Sequence, residues 1–424
     1  MSFFVSNILP VFYFVIVAWL LHRNRYLRNN GINAKSILLF FAAKCAAGFL
    51  YNFVALNFTP NGGDIWPWFW DGYDLYKKLL NNPSDFAAQL KQMFVIEDVD
   101  LTNTQSGFIR SVFEGIKLFQ CFLNLFSFGN LYTNTILFNG LSSFVFLRCW
   151  IFIRQYSNSW TPGGLLFLFP SSFYFSSGIH KEGIVFVILA CLLPLFYRVM
   201  QKANVAKLTG LVLLFALLFF FKFFVAILFA GAMMLWLLLE KFPFHKKKLF
   251  VLSLLIATGI FLLPPIGGSF FSLQPHLVNR QQEFLAMQAN SRIEIKVLEP
   301  DFNSFLKALP AALGHTLFRP FPGEGGKMLY MAFSIEIIIL WLLICWLIIG
   351  SKMRFYRLHS LAVAMLVFSY TNLVIIGYTI PNIGAMVRYR SIFLPWLLVF
   401  CWFTFNGDKQ LLAFKILLQR FISK

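Results

Sequence analysis

Acidic residues are scarce in this chain, which holds 17 aspartates and glutamates against 36 lysines and arginines in 424 residues. Charged residues of both signs make up only 12% of the sequence, and hydrophobic residues make up 59%. Because soluble domains carry roughly 25% charged residues, this composition excludes an ordinary soluble domain. Apolar runs of about 20 residues, long enough to cross a bilayer, recur along the chain and predict an all-α, polytopic membrane protein.

Cysteine motifs are also lacking. The six cysteines are scattered, mostly in apolar runs, without CxxC or zinc-ligand spacing, which excludes zinc ribbons and thioredoxin-like redox sites. No polar block the size of a soluble domain interrupts the apolar runs, so we expect a single integral membrane domain over residues 1–424. Positive charge follows the first apolar run instead of preceding it, and a small-residue cleavage site is lacking. This predicts a retained first span.

The apolar runs predict about eleven membrane spans. We place them near 3–21, 36–57, 131–153, 160–177, 184–200, 207–221, 223–239, 249–266, 328–350, 358–378 and 391–406. Basic residues fall in the short segments between spans, so the positive-inside rule places the N-terminus outside and the C-terminus in the cytoplasm of a plasma (inner) membrane protein. This topology explains the net charge of +19, and no nucleic-acid partner is expected.

Most acidic residues fall in two long outer loops, 58–130 and 267–327. On the predicted topology only Glu240 and Asp408 face the cytoplasm, and the other acids lie outside or at an outer helix end. Loops this long inside a compact protein are usually functional or disordered. Any chemistry that needs carboxylates is therefore expected on the extracytoplasmic side.

The first outer loop contains an amphipathic pattern, "VFEGIKLFQCFLNLFSF". Its polar residues recur every three to four positions, at Glu114, Lys117, Gln120, Cys121 and Asn124. This spacing places them on one helical face, opposite phenylalanine, leucine and isoleucine. We expect an interfacial helix with its apolar face in lipid and its polar face toward water.

The same loop begins with "NGGDIWPWFWDGYDLYKK", which sets Asp64, Asp71 and Asp74 among aromatic residues. Asp64 follows a turn pattern, and its simplest role is to cap the next helix. A carboxylate partly desolvated among tryptophan rings instead has a raised proton affinity, which suits a general base. Asp71 and Asp74 share a helical face, and we count both as candidate substrate-binding residues.

A second motif is "FPSSFYFSSGIHKEGIVF", which brings His180, Lys181 and Glu182 to the junction of two apolar runs. They either form a solvated turn or face an outer cavity. Lys222 divides the apolar run "FFFKFF" and either reaches the membrane interface or binds a lipid phosphate. Apart from these residues, Lys44 is the clear internal charge of the predicted spans.

Arginines at the outer ends of spans form the third group. Arg319 lies in "LFRPFPGEGGKMLY", and Arg388 and Arg390 lie in "GAMVRYRSIFLPW" before the final span. The positive-inside rule disfavours arginines there, so they require an anionic partner. They either bind phosphate, whose oxygens match the guanidinium fork, or anchor the span to lipid headgroups.

These motifs and the span layout resemble the GT-C glycosyltransferases, membrane enzymes that use polyprenyl-phosphate-linked sugars on the outer face. The resemblance rests on "GGDIWPWFWDGYDLY", on "FPSSFYFSSGIHKEG" through Pro170 and Glu182, and on "RYRSIFLP". It implies that Asp64 is the catalytic base, that Glu182 acts at the same site and that the cations bind the lipid phosphate.

Two other functions stay open. The arginine-rich ending and the long late outer loop also resemble Wzy-like or EpsG-like polysaccharide polymerases, and a transporter of lipid-linked sugars is also polytopic with internal charge. Asp64, Asp71 and Glu182 are a further candidate set, since their oxygens could hold a divalent cation such as Mg²⁺ or Mn²⁺. The expected partners are a polyprenyl-phosphate-linked sugar or lipid-linked oligosaccharide, and membrane lipids.

Overall fold

A computed structural model describes residues 8–59, 65–94, 104–157, 159–263, 273–287, 291–326, 328–350 and 358–422. Within these ranges the chain is helical, with no strand beyond an isolated antiparallel bridge between Arg292 and Asn382. The prediction of an all-α fold is confirmed for this part of the chain.

In the described part of the chain, ten helices precede residue 202. In chain order they are α1 (Leu9–Arg23), α2 (Arg25–Asn29), α3 (Ala34–Phe58), α4 (Ile65–Asn81), α5 (Pro83–Phe94), α6 (Thr104–Ser127), α7 (Leu131–Ser157), α8 (Thr161–Phe167), α9 (Pro170–Phe175) and α10 (Lys181–Gln201).

The helices after residue 202 include the longest one that the structure describes. They are α11 (Val205–Lys241), α12 (Lys246–Leu262), α13 (Leu273–Ala286), α14 (Phe302–Phe318), α15 (Met328–Ile349), α16 (Ser360–Thr379), α17 (Ile383–Arg390), α18 (Pro395–Thr404) and α19 (Gly407–Ile422), with a 3₁₀ turn at Pro243–His245.

Six of these helices, α3, α7, α10, α11, α15 and α16, are long and apolar enough to cross a membrane. The pair α17 and α18, bent by 44°, makes a seventh if it counts as one span. The predicted span 160–177 is instead two short helices, α8 and α9, separated at Leu168 and Phe169. The predicted hairpin 207–239 lies on α11, whose backbone leaves helical geometry at Lys222 (φ −153°, ψ 84°).

The described chain forms two compact units, one of residues 1–152 and 173–223 and the other of residues 153–172 and 224–424. In the first unit α4 packs closely along α6. Gly72 makes this possible, because a Cβ there would lie 2.5 Å from the Gln120 Cβ and 2.9 Å from the Lys117 carbonyl oxygen.

Gly48 on α3 marks a second close approach in the first unit. A Cβ at this position would lie 2.7 Å from the Asn139 Nδ2, 2.7 Å from the Thr135 Cγ2 and 2.8 Å from the Ser177 carbonyl oxygen. Real Cβ atoms essentially never approach other heavy atoms this closely. Glycine at position 48 therefore lets α3 pack directly on α7 and on the turn before α10.

In the second unit α16 is the central helix. It is buried over most of its length and packs against α12, α13, α14, α17 and α18. Gly377 lies directly against the Ala312 carbonyl of α14, where a Cβ would overlap it. Phe261, Phe305 and Tyr378 form the aromatic centre of the adjoining apolar core.

Candidate functional site

Three ionisable side chains meet at the start of α10 in the first unit. The Glu182 carboxylate lies 3.0 Å from the His180 Nδ1 and 3.3 Å from the Lys222 Nζ. His180 and Glu182 are buried, and the Lys222 side chain is 19% exposed. The structure thus brings three of the predicted site residues together.

Local backbone geometry explains this arrangement. His180 is the N-cap of α10 and its Nδ1 also lies 3.3 Å from the Gly183 amide nitrogen. Glu182 lies in the first turn, where the helix dipole favours negative charge. The His180 ring packs on Tyr51, with ring centroids 4.9 Å apart. His180 and Glu182 are therefore held against each other in a fixed, buried geometry, within the hydrogen-bond distance that proton transfer needs.

Lys44 is buried inside α3, as the sequence indicated. Its Nζ donates a hydrogen bond to the Ser176 Oγ at 2.8 Å and lies over the Phe146 and Phe173 rings, 4.8 and 5.4 Å from their centroids. A hydroxyl and two aromatic faces thus surround the Lys44 amino group. These contacts indicate that Lys44 ties α3 to the end of α9.

The predicted acidic residues on α4 have lysine partners. Asp71 pairs with Lys117 at 3.1 Å, and Asp74 pairs with Lys77 at 2.8 Å on the exposed face of the helix. Burial alone would lower the pKa of Lys117, but hydrogen bonds to Glu114 and Asp71 raise it above its ordinary value. These pairs are typical of a charged helix surface.

Asp64, the predicted catalytic base and metal ligand, lies outside the described residues. Across the part of the chain that the structure does describe, no three histidine, cysteine, aspartate or glutamate side chains converge as a metal site would require. The described members of the predicted set, Asp71 and Glu182, contact lysines. The metal set that includes Asp64 stays a prediction.

Arg390 is the central charged residue of the second unit. It is fully buried at the end of α17, and its Nη1 donates hydrogen bonds to the Thr316 carbonyl at 2.8 Å and to the Arg319 carbonyl. Its Nε and Nη2 have no hydrogen-bond partner among the described residues. These two N–H groups form one edge of the guanidinium plane, the edge that binds phosphate or carboxylate oxygens in a bidentate manner.

Glu336 supplies a negative charge near Arg390. It is buried within α15, where its two carboxylate oxygens accept hydrogen bonds from the Ser171 amide at 2.5 Å and the Ser171 hydroxyl at 2.7 Å. Glu336 and Arg390 interact electrostatically, and the Ser172 hydroxyl donates to the Ser391 carbonyl. The "PSS" motif thus connects α15 with the segment that follows Arg390.

Glu336 is not among the predicted site residues. The topology predicted from the sequence places all acids but two outside or at outer helix ends, whereas Glu336 lies well inside the 22-residue α15. The acid within the apolar run "SIEIIILW" is a pattern that indicates a functional residue, because ionisable residues within spans are rare and usually functional.

The other predicted cations have different neighbours. The Arg319 Nη1 pairs with the Glu324 carboxylate at 2.5 Å, so it is the Arg319 carbonyl, and not its guanidinium, that contacts Arg390. Arg388 packs over the ring of Tyr389. Lys181 is the first residue of α10 and half-buried. The structure therefore brings the backbone carbonyl of Arg319 to Arg390. The guanidinium group of Arg319 pairs with Glu324 instead of joining that of Arg390.

The polar face predicted for α6 points largely into the protein. Gln120, Cys121 and Asn124 are buried, while apolar side chains on the other side of the helix, such as Phe122 and Phe126, are exposed. The expectation that this whole face meets water is wrong, because the Asn134 amide of α7 donates hydrogen bonds to Gln120 and Asn124.

Comparison with known proteins does not assign the site. No protein family, curated protein or solved structure matches the chain.

Proposed function

We propose that the chain is a GT-C-like membrane glycosyltransferase, which transfers a sugar from a polyprenyl-phosphate donor to an acceptor at the extracytoplasmic face of the plasma membrane. The observation that most supports this is Arg390. Its bidentate edge has no partner among the described residues although the residue is fully buried. A buried charge with unmet hydrogen bonds is costly unless an anionic ligand completes it.

The Arg390 contacts favour a phosphate as that ligand. The Nη1 bonds to carbonyls at the end of α14 fix the guanidinium plane, so the open edge needs no rearrangement before it binds. Glu336 offsets part of the cost of the buried cation when no ligand is bound, without occupying the bidentate edge. A lipid-linked phosphate combines the required charge with an apolar chain suited to a membrane protein.

In the proposed reaction Asp64 takes the proton of an acceptor hydroxyl, whose oxygen forms a bond with the anomeric carbon of the sugar. The bond between that carbon and the phosphate oxygen breaks, and its electron pair stays on the phosphate. Arg390, with Arg388 and Arg319 of the same unit as further candidates, stabilises this added charge in the transition state. Glu182 and His180 hold a proton near the start of α10 and act as the second acid–base pair of the enzyme.

The proposed topology keeps about eleven spans, with the N-terminus outside and the C-terminus in the cytoplasm. The six long apolar helices support the polytopic part of this topology. The shorter crossings would use α1, α8 together with α9, α12, and the bent pair of α17 and α18.

The test is a product assay on the purified protein in lipid nanodiscs. Polyprenyl-phosphate hexoses serve as donors, a membrane lipid and glycan extract supplies acceptors, and mass spectrometry identifies the products. One added sugar is expected from a transferase. A ladder of repeat units would assign a polymerase instead, and movement of the lipid-linked sugar across liposomes without a new glycosidic bond would assign a transporter.

Variants of two residues test the roles within that assay. Arg390→Lys keeps a positive charge but removes the bidentate edge, and should lower turnover by about 10²–10³-fold, the usual cost of a lost transition-state donor. Asp64→Asn should lower it by about 10²–10⁴-fold, as expected for a general base.

Arg292→Lys, at an exposed arginine of the same unit, is the matched control and should retain turnover. Normal turnover of folded Arg390→Lys protein would contradict the phosphate role, and normal turnover of Asp64→Asn would contradict the role of the base.

A further inference from the structure

A set of buried polar side chains lies on α6 and α7 in the first unit, where Asn134 bonds Gln120 and Asn124 of α6, and Asn139, on another face of α7, bonds the turn before α10. We call it the polar seam and define it by six residues that share full or near-full burial and an unmet hydrogen-bonding atom: Gln120, Asn124, Thr133, Asn134, Asn139 and Ser143. All six have 0% exposure. None of them was a predicted site residue.

Three carboxamides form the centre of the seam. The Asn134 Nδ2 donates to the Gln120 Oε1 at 3.2 Å and to the Asn124 Oδ1 at 2.8 Å. This leaves the Gln120 Nε2, the Asn124 Nδ2 and the Asn134 Oδ1 without a partner among the described residues. The cluster therefore fixes its own orientation and still offers amide hydrogens and a carbonyl oxygen to a ligand.

Helix packing alone does not explain the seam. Polar side chains often join membrane helices, at about 0.6 kcal/mol per hydrogen bond, but they do so by pairing with one another. Each polar atom buried without a partner instead costs about 1–3 kcal/mol. Six such costs are comparable with the whole stability of a typical domain, about 5–15 kcal/mol. A ligand that supplies the missing partners would remove this cost.

The atoms of the seam define the chemistry of that ligand. An anion would be repelled by the amide and hydroxyl oxygens, and a metal cation would be repelled by the amide hydrogens. A neutral hydroxyl both donates and accepts and matches the mixture of Nδ2, Nε2, Oδ1 and Oγ atoms. We propose that the polar seam is a binding site for neutral hydroxyl groups, either those of ordered water or those of a sugar.

The seam connects directly to the turn that bears the acid–base pair. The Asn139 Nδ2 donates to the Ser177 carbonyl at 2.9 Å, and His180 follows three residues later. The Asn52 Nδ2 donates to the Thr135 Oγ1 on the same side of α7. The Asn139 end of the seam therefore lies against the turn that precedes His180. Occupation by a sugar rests on the proposed function, whereas occupation by water does not.

Hydroxyl-radical labelling by synchrotron X-rays tests the seam, because radicals form from water and oxidise side chains next to it, including buried ones. Phe138 is the reporter, since it is 2% exposed and lies one helical turn from Asn134 on α7. Phe261, at 0% exposure in an apolar core, is the dry reference. In the intact protein in nanodiscs, Phe138 should be oxidised and Phe261 should not.

Variants and a sugar probe complete the test. Asn124→Leu with Asn134→Leu should reduce oxidation of Phe138 to the level of Phe261, whereas Thr371→Val, which removes a buried hydroxyl bonded to its own helix, should not. Protection of Phe138 by farnesyl-phosphate mannose would show that sugar hydroxyls displace the water, and its absence would assign the site to water.

Oxidation of Phe138 in the unaltered protein no greater than that of Phe261 would overturn the proposal, whether or not the variants fold. The measurement needs no turnover, so its failure is distinguishable from failure of the proposed transfer reaction.

Discussion

At the scale of single residues, three buried charges have three different environments. The Lys44 Nζ donates a hydrogen bond to a hydroxyl and contacts two aromatic rings. The Glu182 carboxylate lies within ion-pair distance of Lys222 and His180. The Nε and Nη2 of Arg390 have no hydrogen-bond partner among the described residues. The sequence marks only Lys44 as an internal charge and places Glu182 and Arg390 at outer helix ends, so the burial of these two residues and their partners follow from the contacts alone.

Breaking the Glu182–Lys222 pair should destabilise the protein. Glu182→Gln leaves Lys222 largely buried without its counter-charge, and the usual cost of such a change is about 3–5 kcal/mol. Glu283→Gln, in the more exposed pair with Arg280, should cost at most about 1 kcal/mol. Thermal unfolding of each variant in the same detergent measures the difference.

A double variant provides the control for this pair. Adding Lys222→Met to Glu182→Gln removes the stranded charge and should recover part of the lost stability. Equal destabilisation by Glu182→Gln and Glu283→Gln would show that the buried ion pair stabilises the protein no more than the exposed one does.

His359 should make stability depend on pH. Burial lowers the pKa of this histidine to about 4, with Glu240 opposing the shift and Lys246 adding to it. The folded state therefore favours the neutral ring, which stacks on Phe403. Its stabilisation is complete above the ordinary pKa of about 6.5 and is lost as the pH falls toward 4, by up to about 3 kcal/mol at ~1.36 kcal/mol per pKa unit.

His359→Phe keeps a ring against Phe403 and cannot be protonated. Its melting temperature should fall less than that of the unaltered protein between pH 7 and pH 5, as measured by scanning fluorimetry. Parallel curves for the two proteins would contradict the assignment of this pH dependence to His359.

At the scale of helices, the contact between α14 and α16 depends on Gly377. Gly377→Ala would place a methyl group onto the Ala312 carbonyl of the neighbouring helix, so α16 must shift, at a cost of about 1–3 kcal/mol. Gly314→Ala is the matched control, because a Cβ on α14 at that position meets nothing within 4 Å. It should leave stability unchanged or raise it by up to about 1 kcal/mol.

Thermal unfolding under identical conditions distinguishes the two glycine variants. A Gly377→Ala protein as stable as the Gly314→Ala protein would show that α16 adapts to the extra methyl group without loss.

Helix positions followed from the sequence more fully than helix contacts did. Apolar runs predicted α3, α7, α10, α15 and α16 because long lipid-crossing helices need continuous apolar residues. The orientation of α6 was predicted incorrectly, since periodicity indicates which residues share a face but not whether lipid, water or another helix lies against it. The same limit hid Glu336, whose partner Ser171 is far away in the sequence.

At the scale of the whole molecule, α11 determines how many times the chain crosses the membrane. At about 1.5 Å per residue its 37 residues would span about 55 Å, well beyond the ~30 Å hydrocarbon layer. Two crossings of about 17 residues each, separated at Lys222, fit that thickness better. We therefore predict that both ends of α11 lie in the cytoplasm.

Reporter fusions measure this topology. Green fluorescent protein fused after residue 245 or at the C-terminus should fluoresce, and alkaline phosphatase fused after residue 326 should be active. An active phosphatase and a dark fluorescent protein at residue 245 would instead indicate that α11 crosses once.

Gly48 has a consequence for how such a sequence can diverge. A hydrogen atom is all that fits between α3, Asn139 and the Ser177 carbonyl, so every substitution there must be accompanied by separation of the helices that hold the polar seam. A library of random variants selected for folded protein should retain glycine at position 48 while freely exchanging Leu50, which is 51% exposed two residues later. The positions of α3 that tolerate no substitution would then identify the helix face that packs against Asn139 of the polar seam.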